Sequence, residues 1–177
     1  TLPKRFIHDG MGEVIKYGCI RDRALFELLE KLDDQSIFDH WEEIIERCCQ
    51  SKADIVEHDV FDMGERMMLN FGHTIGHAIE GCYGFDHYTH GEGVAAGMSM
   101  LTGVTEAMGL TKAGTTARLR KVIKQYGLPT DVDASAEDLI PYISNDKKMR
   151  GNHITLVIIE EIGKARLLPL VAEDLPK

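Results

Sequence analysis

The sequence predicts a mainly α-helical domain that ends in one small β-hairpin. Through most of the chain, apolar side chains recur every three or four positions, which places them on one face of a helix. After residue 148 the pattern changes to two short strand-like runs, residues 154–159 and 165–170, with Gly163 at the turn between them. With 177 residues the chain can bury a core of its own, so we treat residues 1–177 as a single helical domain.

The first third of the chain predicts three helices. Residues 10–18 form the first, and leucines at helical spacing across residues 21–32 indicate the second. Ser36 and Asp39 fit the capping pattern that would start a long amphipathic helix reaching residue 56. Residues 59–64 interrupt the helical pattern.

Two further helices contain most of the histidines of interest. Residues 69–80 read as one helix, and Thr89 with Glu92 forms the S/T-x-x-E pattern of a helix that opens with His90. This second helix continues to about residue 108. Its glycines, Gly93 and Gly97, predict close approach of another backbone.

The remaining helical signals are shorter. Thr111 is predicted to cap a helix that ends near Tyr126, before a Gly-Leu-Pro stop. Ser135 with Asp138 is predicted to start a short helix that ends near residues 145–148.

Charge and cysteine content limit the classes of partner. A net charge of -9 argues against nucleic acid or an anionic membrane surface as a partner. Four cysteines without a C-x-x-C pair are typical of reduced cytosolic thiols, and no apolar run approaches the length of a membrane span. We therefore expect a soluble, cytoplasmic protein.

Three histidines suggest a metal site. His73 and His77 stand four apart in one predicted helix, so both imidazoles leave the same face. His90 opens the next helix, where the helix dipole disfavours a cation and leaves a lone pair available to a metal. Spacing favours a metal site but does not fix which histidines bind, and a structural role for each is an alternative.

The motifs together resemble the C-terminal domain of the 3-dehydroquinate synthase family. The resemblance covers nearly the whole chain, and its blocks occur in the family's order: residues 1–5 (TLPKR), 12–18 (GEVIKYG), Lys52 with Asp59, Arg66, residues 69–80 (LNFGHTIGHAIE), 90–92 (HGE), 146–148 (DKK) and 162–163 (IG). Phe6, Gly12, Val60 and Gly93 depart from the family pattern. Alanine is usual at positions 12 and 93.

The resemblance implies a set of site residues. A divalent metal, usually zinc or another ion such as cobalt, would be held by Glu13, His73 and His90, and His77 would instead contact the substrate or support a ligand. Lys16 and His77 match catalytic positions. The anion-binding and orienting positions of the family match Lys52, Arg66, Asn70 and Lys148. Lys147 is a weaker match to the same position as Lys148.

The resemblance also implies an activity. The family converts a seven-carbon keto-acid phosphate into 3-dehydroquinate and phosphate in the shikimate pathway, with NAD reduced and reoxidised in each turnover. NAD would be bound mainly by an N-terminal domain that these residues do not include, so we expect the isolated chain to be inactive. A homodimer is expected for the full-length enzyme.

Three other functions compete with this one. A related sugar-phosphate cyclase would act on a different substrate, although Lys52 and Arg66 favour a substrate with a carboxylate. A metal-dependent polyol dehydrogenase of the glycerol dehydrogenase type shares the architecture, but Glu13 beside Lys16 argues against it. A non-catalytic helical module that binds a metal or a partner is the third.

Overall fold

The fold follows from a computed structural model that describes residues 2–33, 35–59, 64–84, 87–144 and 153–171. The elements in chain order are α1 (Lys4–Ile20), α2 (Arg23–Leu29), a 3-10 helix (Ser36–His40), α3 (Trp41–His58), a second 3-10 helix (Glu65–Asn70), α4 (His73–Tyr83), α5 (His90–Ala107), α6 (Thr115–Gln125), α7 (Ala136–Ser144), β1 (His153–Glu161) and β2 (Lys164–Val171). The predicted fold class, mainly helical with a C-terminal hairpin, is confirmed.

The hairpin covers one side of the helical core. β1 and β2 pair antiparallel, and Gly163 takes the positive φ of 81° at the turn, as predicted. The Gly163 backbone N–H donates to the Cys19 carbonyl oxygen at 2.8 Å, which ties the turn to the end of α1. Ile158 and Ile159 are fully buried.

The main core lies around α1 and α5. Ile15 on α1, Phe71 before α4 and Val94 on α5 have no exposed surface, and all three belong to one apolar cluster. α1 and α5, which carry Glu13 and His90, therefore pack against each other through this cluster.

Glycines let the backbones of these helices touch. A Cβ atom at Gly12 would stand 2.6 Å from the Gly91 carbonyl oxygen, and one at Gly97 would overlap the Gly72 carbonyl oxygen. The close packing predicted for the glycine-rich helix is confirmed. Gly12 thus lies at the contact between α1 and α5.

Three predicted helix starts are wrong. The helix predicted from Leu69 begins at His73, because Gly72 adopts a left-handed conformation with φ of 80° and separates α4 from the preceding 3-10 helix. Ser36 pairs with Asp33 rather than Asp39, and the two form a local turn. The Thr111 hydroxyl donates to the Ile159 carbonyl oxygen at 2.6 Å, so α6 begins after Gly114 instead.

Two predicted caps are confirmed. Thr89 and Glu92 form the reciprocal capping box at the start of α5. The Ser135 and Asp138 side chains each accept a backbone N–H from the other residue at the start of α7. Within the ranges given above, no helix combines the length and apolar character required to cross a membrane.

Candidate metal centre

Three side chains from three helices converge at one point. Glu13 comes from the middle of α1, while His73 and His90 are the first residues of α4 and α5. One potential ligand atom from each side chain lies within 4.8 Å of the other two. The structure thus brings together the three residues that the family resemblance selects as ligands.

The two oxygens of Glu13 have different surroundings. Oε2 accepts from the Lys16 ammonium at 2.6 Å. Oε1 is buried and has no hydrogen-bond partner among the described residues. A buried carboxylate oxygen without a donor is costly, and a cation at this position would satisfy it.

His73 presents a lone pair to the same oxygen. Its Nδ1–H donates to the Phe71 carbonyl oxygen at 3.2 Å, which leaves Nε2 as the acceptor nitrogen, 3.4 Å from Glu13 Oε1. Burial lowers the pKa of His73 to about 4, and Lys16 acts in the same direction, so the ring is neutral at pH 7. Two electron-rich atoms facing each other fit a bound cation between them.

His90 is held by a buried carboxylate on the neighbouring helix. Its Nδ1 lies 2.8 Å from Glu80 Oε1. Because a carboxylate oxygen accepts hydrogen bonds, the ring donates through Nδ1, and in the neutral ring Nε2 is then the nitrogen with the lone pair. One carboxylate and two imidazoles form a donor set that suits a catalytic divalent ion and leaves a coordination position for a substrate.

A second group of potential ligands shares His90. His77, Glu80 and His90 also offer atoms within 4.8 Å of one another. In this group, however, Glu80 already accepts a hydrogen bond from the His90 ring, whereas Glu13 Oε1 has no donor among the described residues. The geometry therefore favours the group that contains Glu13 and His73.

Lys16 lies beside the centre and is almost completely buried, with 3% of its side chain exposed. Burial lowers its pKa, and the Glu13 carboxylate opposes this effect. Lys16 therefore does not belong to an ordinary surface ion pair. Lys52 on α3 is exposed, yet it lies close enough to lower the pKa of Lys16 further.

The other predicted site residues lie on α4, on the 3-10 helix before it, or outside the described ranges. The exposed His77 ring lies 5.7 Å from the His73 ring and 5.9 Å from the His90 ring, between centroids. Arg66 and Asn70 are half-buried on the 3-10 helix that leads into α4. Lys147 and Lys148 lie outside the described residues.

Sequence reasoning assigned no role to Glu80. The residue follows His77 by three positions and His73 by seven, so all three share one face of α4. That spacing could have predicted a carboxylate beside His73 and His77. It could not have predicted the hydrogen bond from His90 on α5 to Glu80.

The buried imidazole predicts a pH dependence of stability in the metal-free chain. Unfolded His73 takes up a proton below about pH 6.5, whereas folded His73 does so only near pH 4. The unfolded state therefore binds more protons in this window, and stability falls as the pH is lowered through it, by up to about 3 kcal/mol. The free energy of unfolding, measured with denaturant and a chelator at several pH values, should show this fall in the parent chain and largely lack it in His73→Asn. Parallel pH dependences of the two proteins would contradict the prediction.

Solved structures establish the class of fold. The chain superimposes on 2-deoxy-scyllo-inosose synthase, solved with carbaglucose-6-phosphate, NAD and Co²⁺, with a TM-score of 0.81 and 22% identity over 97% of this chain and 51% of that one. It also matches 2-epi-5-epi-valiolone synthase from Streptomyces hygroscopicus, solved with NAD and Zn²⁺, with a TM-score of 0.82 and 20% identity over 97% of this chain and 49% of that one. The fold is that of about half of each synthase.

Sequence comparisons establish the family. The chain is 51% identical to a 3-dehydroquinate synthase of Clostridium acetobutylicum over 92% of its own length and 46% of that protein, and 44% identical to one of Streptococcus pneumoniae over 99% and 50%. A family model described as 3-dehydroquinate synthase C-terminal matches residues 10–149. The chain belongs to the 3-dehydroquinate synthase family, as its motifs predict, and spans about half the length of these relatives.

Proposed function

We propose that this chain is the metal- and substrate-binding domain of a 3-dehydroquinate synthase. The enzyme would eliminate phosphate from a seven-carbon keto-acid phosphate and close the carbon ring, a lyase step of the shikimate pathway. The observation that supports this function best is the convergence of Glu13, His73 and His90 beside the buried Lys16.

Glu13, His73 and His90 would hold zinc or a similar divalent ion, and NAD would bind mainly to an N-terminal domain. When bound, the metal supplies a Lewis acid for a substrate hydroxyl and NAD supplies a reversible hydride acceptor.

Lys16 would bind an anionic group of the substrate. Its ammonium lies 2.6 Å from Glu13 Oε2, so its charge is already positioned next to the metal ligands. Substrate binding then costs little side-chain entropy at Lys16. The burial of Lys16 limits contact with water, which strengthens its attraction to a developing negative charge.

His77 would exchange a proton with the substrate. It lies one helical turn after His73 and is exposed, so its ring nitrogens can reach a molecule bound at the open side of the centre. Because it does not belong to the favoured ligand group, it keeps both nitrogens for this role.

Further cations would orient the two anionic groups of the substrate. Arg66 suits bidentate binding of a carboxylate or phosphate, Asn70 would add a hydrogen bond, and Lys52 adds charge near Lys16. Lys148 and Lys147 are proposed for the same purpose from the resemblance. A small anionic substrate, a cytoplasmic location and a homodimer of the full-length enzyme complete the proposal, with neither nucleic acid nor membrane as a partner.

A chimera tests this function. The chain replaces the matching half of the Clostridium acetobutylicum relative, and phosphate release from the seven-carbon keto-acid phosphate is measured with NAD and zinc. We expect turnover by the chimera and none by the isolated chain. Lys16→Met in the chimera should lower kcat at least about 100-fold, the lower range for loss of a proton-transfer or charge-stabilising group.

The parent relative is the positive control, and the chimera's zinc content is measured in parallel. A zinc-loaded chimera that releases phosphate only from a heptulose or hexose phosphate without a carboxylate would assign the chain to the related sugar-phosphate cyclases. The likeness to a synthase solved with carbaglucose-6-phosphate makes this the second candidate. Net accumulation of NADH without phosphate release would indicate a polyol dehydrogenase instead.

A further inference from the structure

Glu80 is a buried carboxylate next to the centre. It is 7% exposed, on the face of α4 that packs against α5. The Glu80 side chain lies next to Gly93, where an added Cβ would be 3.6 Å from both Cγ and Oε1. A carboxylate in such surroundings requires a partner for its charge.

The partner is the His90 ring. Oε1 accepts from Nδ1 at 2.8 Å, a distance typical of a strong hydrogen bond to a charged acceptor. The His90 side chain is itself 47% exposed, so packing alone does not hold its ring in one orientation. The bond to Glu80 supplies that restraint.

The two histidines of the centre follow the same arrangement. His73 donates through Nδ1 to a fixed acceptor, the Phe71 carbonyl oxygen, and His90 donates through Nδ1 to Glu80. In the neutral form of each ring the remaining nitrogen, Nε2, is the one with a lone pair.

We propose that Glu80 is a positioning residue that fixes the tautomer and orientation of His90, so that Nε2 faces the bound ion. This inference rests on the proposed metal centre. The acceptor on His90 is an anionic side chain whereas that on His73 is a backbone carbonyl, so only the His90 restraint can be removed by substitution.

The first readout is the tautomer itself. In the metal-free 177-residue chain, ¹⁵N chemical shifts of the imidazole nitrogens should show His90 protonated at Nδ1. In Glu80→Ala the ring should shift toward protonation at Nε2, the form favoured in water. A role of Glu80 in packing alone would leave the tautomer unchanged.

The second readout is zinc affinity, measured by competition with a chelator. Glu80→Ala should bind zinc about 10–100-fold more weakly, the usual effect of losing the partner of a ligating histidine. Glu80→Gln keeps a neutral acceptor of the same size, so it should lose less and retain the Nδ1–H tautomer. This variant also keeps the test valid if the cavity left by alanine prevents folding.

The matched control is Glu106→Ala on α5. Glu106 accepts from the Gly114 and Thr116 backbone N–H groups and so caps α6, roughly 24 Å along the helix from His90 by the 1.5 Å rise per residue. This substitution should lower thermal stability without changing zinc affinity or the tautomer.

Three results would overturn the inference in distinguishable ways. Unchanged zinc affinity and tautomer in both Glu80 variants, with zinc binding lost in Glu13→Ala, would overturn it and leave the metal centre intact. Affinity lost in Glu80→Ala and His77→Ala but kept in Glu13→Ala would make Glu80 a direct ligand and overturn both proposals. No zinc binding by the unmodified chain would overturn both as well.

Discussion

Glu13→Ala is expected to abolish tight zinc binding and to destabilise the metal-free chain. The substitution removes one of three proposed ligands. Losing a residue that only supports a ligand weakens metal binding by up to about 100-fold, so the zinc affinity of Glu13→Ala should fall further than that. It also leaves the Lys16 ammonium, 3% exposed, without its carboxylate. Breaking a fully buried pair costs about 3–5 kcal/mol, and because the Glu13 side chain is 34% exposed we expect a loss of about 3 kcal/mol or less. Chelator competition and denaturant unfolding measure the two effects separately.

A double variant separates the ligand role of Glu13 from its ion pair. Glu13→Ala combined with Lys16→Met removes both charges, so much of the lost stability should return, while zinc affinity stays low. Glu30→Ala, which breaks the more exposed pair with Arg118, is the control for loss of an ordinary ion pair and should leave zinc binding unchanged. Retained zinc affinity in Glu13→Ala would contradict the metal centre.

Gly91→Ala is expected to be strongly destabilising and to weaken zinc binding at the same time. A Cβ atom at this position would overlap the Asp9 carbonyl oxygen, and it would also approach the Asp9 carboxylate that accepts the Gly91 backbone N–H at 2.6 Å. α1 and α5 must then separate, at a cost of about 3 kcal/mol. Because Glu13 and His90 belong to these two helices, the separation should move the ligands apart.

Gly103→Ala is the matched control on the same helix. The nearest atoms to an added Cβ there are side-chain atoms of Arg120 at 3.6 Å and Thr116 at 3.8 Å, which are ordinary contacts. Alanine favours a helix over glycine by about 1 kcal/mol, so this variant should be slightly more stable than the parent and bind zinc equally well. Equal stability of the two variants would show that the α1–α5 contact tolerates a methyl group.

Local patterns predicted most of the fold. Helical periodicity, the Thr89–Glu92 capping box and the glycine turn at Gly163 depend on residues close in sequence, and all three occur in the structure. The start of α4 was mispredicted because the 3-10 helix before it carries the same apolar spacing. The extended ψ of Phe71 and the left-handed conformation of Gly72 separate the two helices.

The site was less accessible to sequence reasoning because its contacts are long-range. Periodicity places His73 and His77 on one face equally, and only the approach of α1 brings Glu13 to one of them. Helical spacing places Lys16 one turn from Glu13 but does not reveal that Lys16 is buried. The family resemblance selected Glu13, His73 and His90, and their roles as ligands remain predictions.

The three proposed ligands stand far apart along the chain, on α1 and at the first residues of α4 and α5. An ion bound to all three would act as a cross-link that closes two loops of the polypeptide, and closing long loops removes conformational freedom from the unfolded chain. Metal binding would then protect α1 against local detachment as well as activating a substrate. Depletion of the metal ion would thus shorten the lifetime of the folded domain as well as remove the proposed Lewis acid.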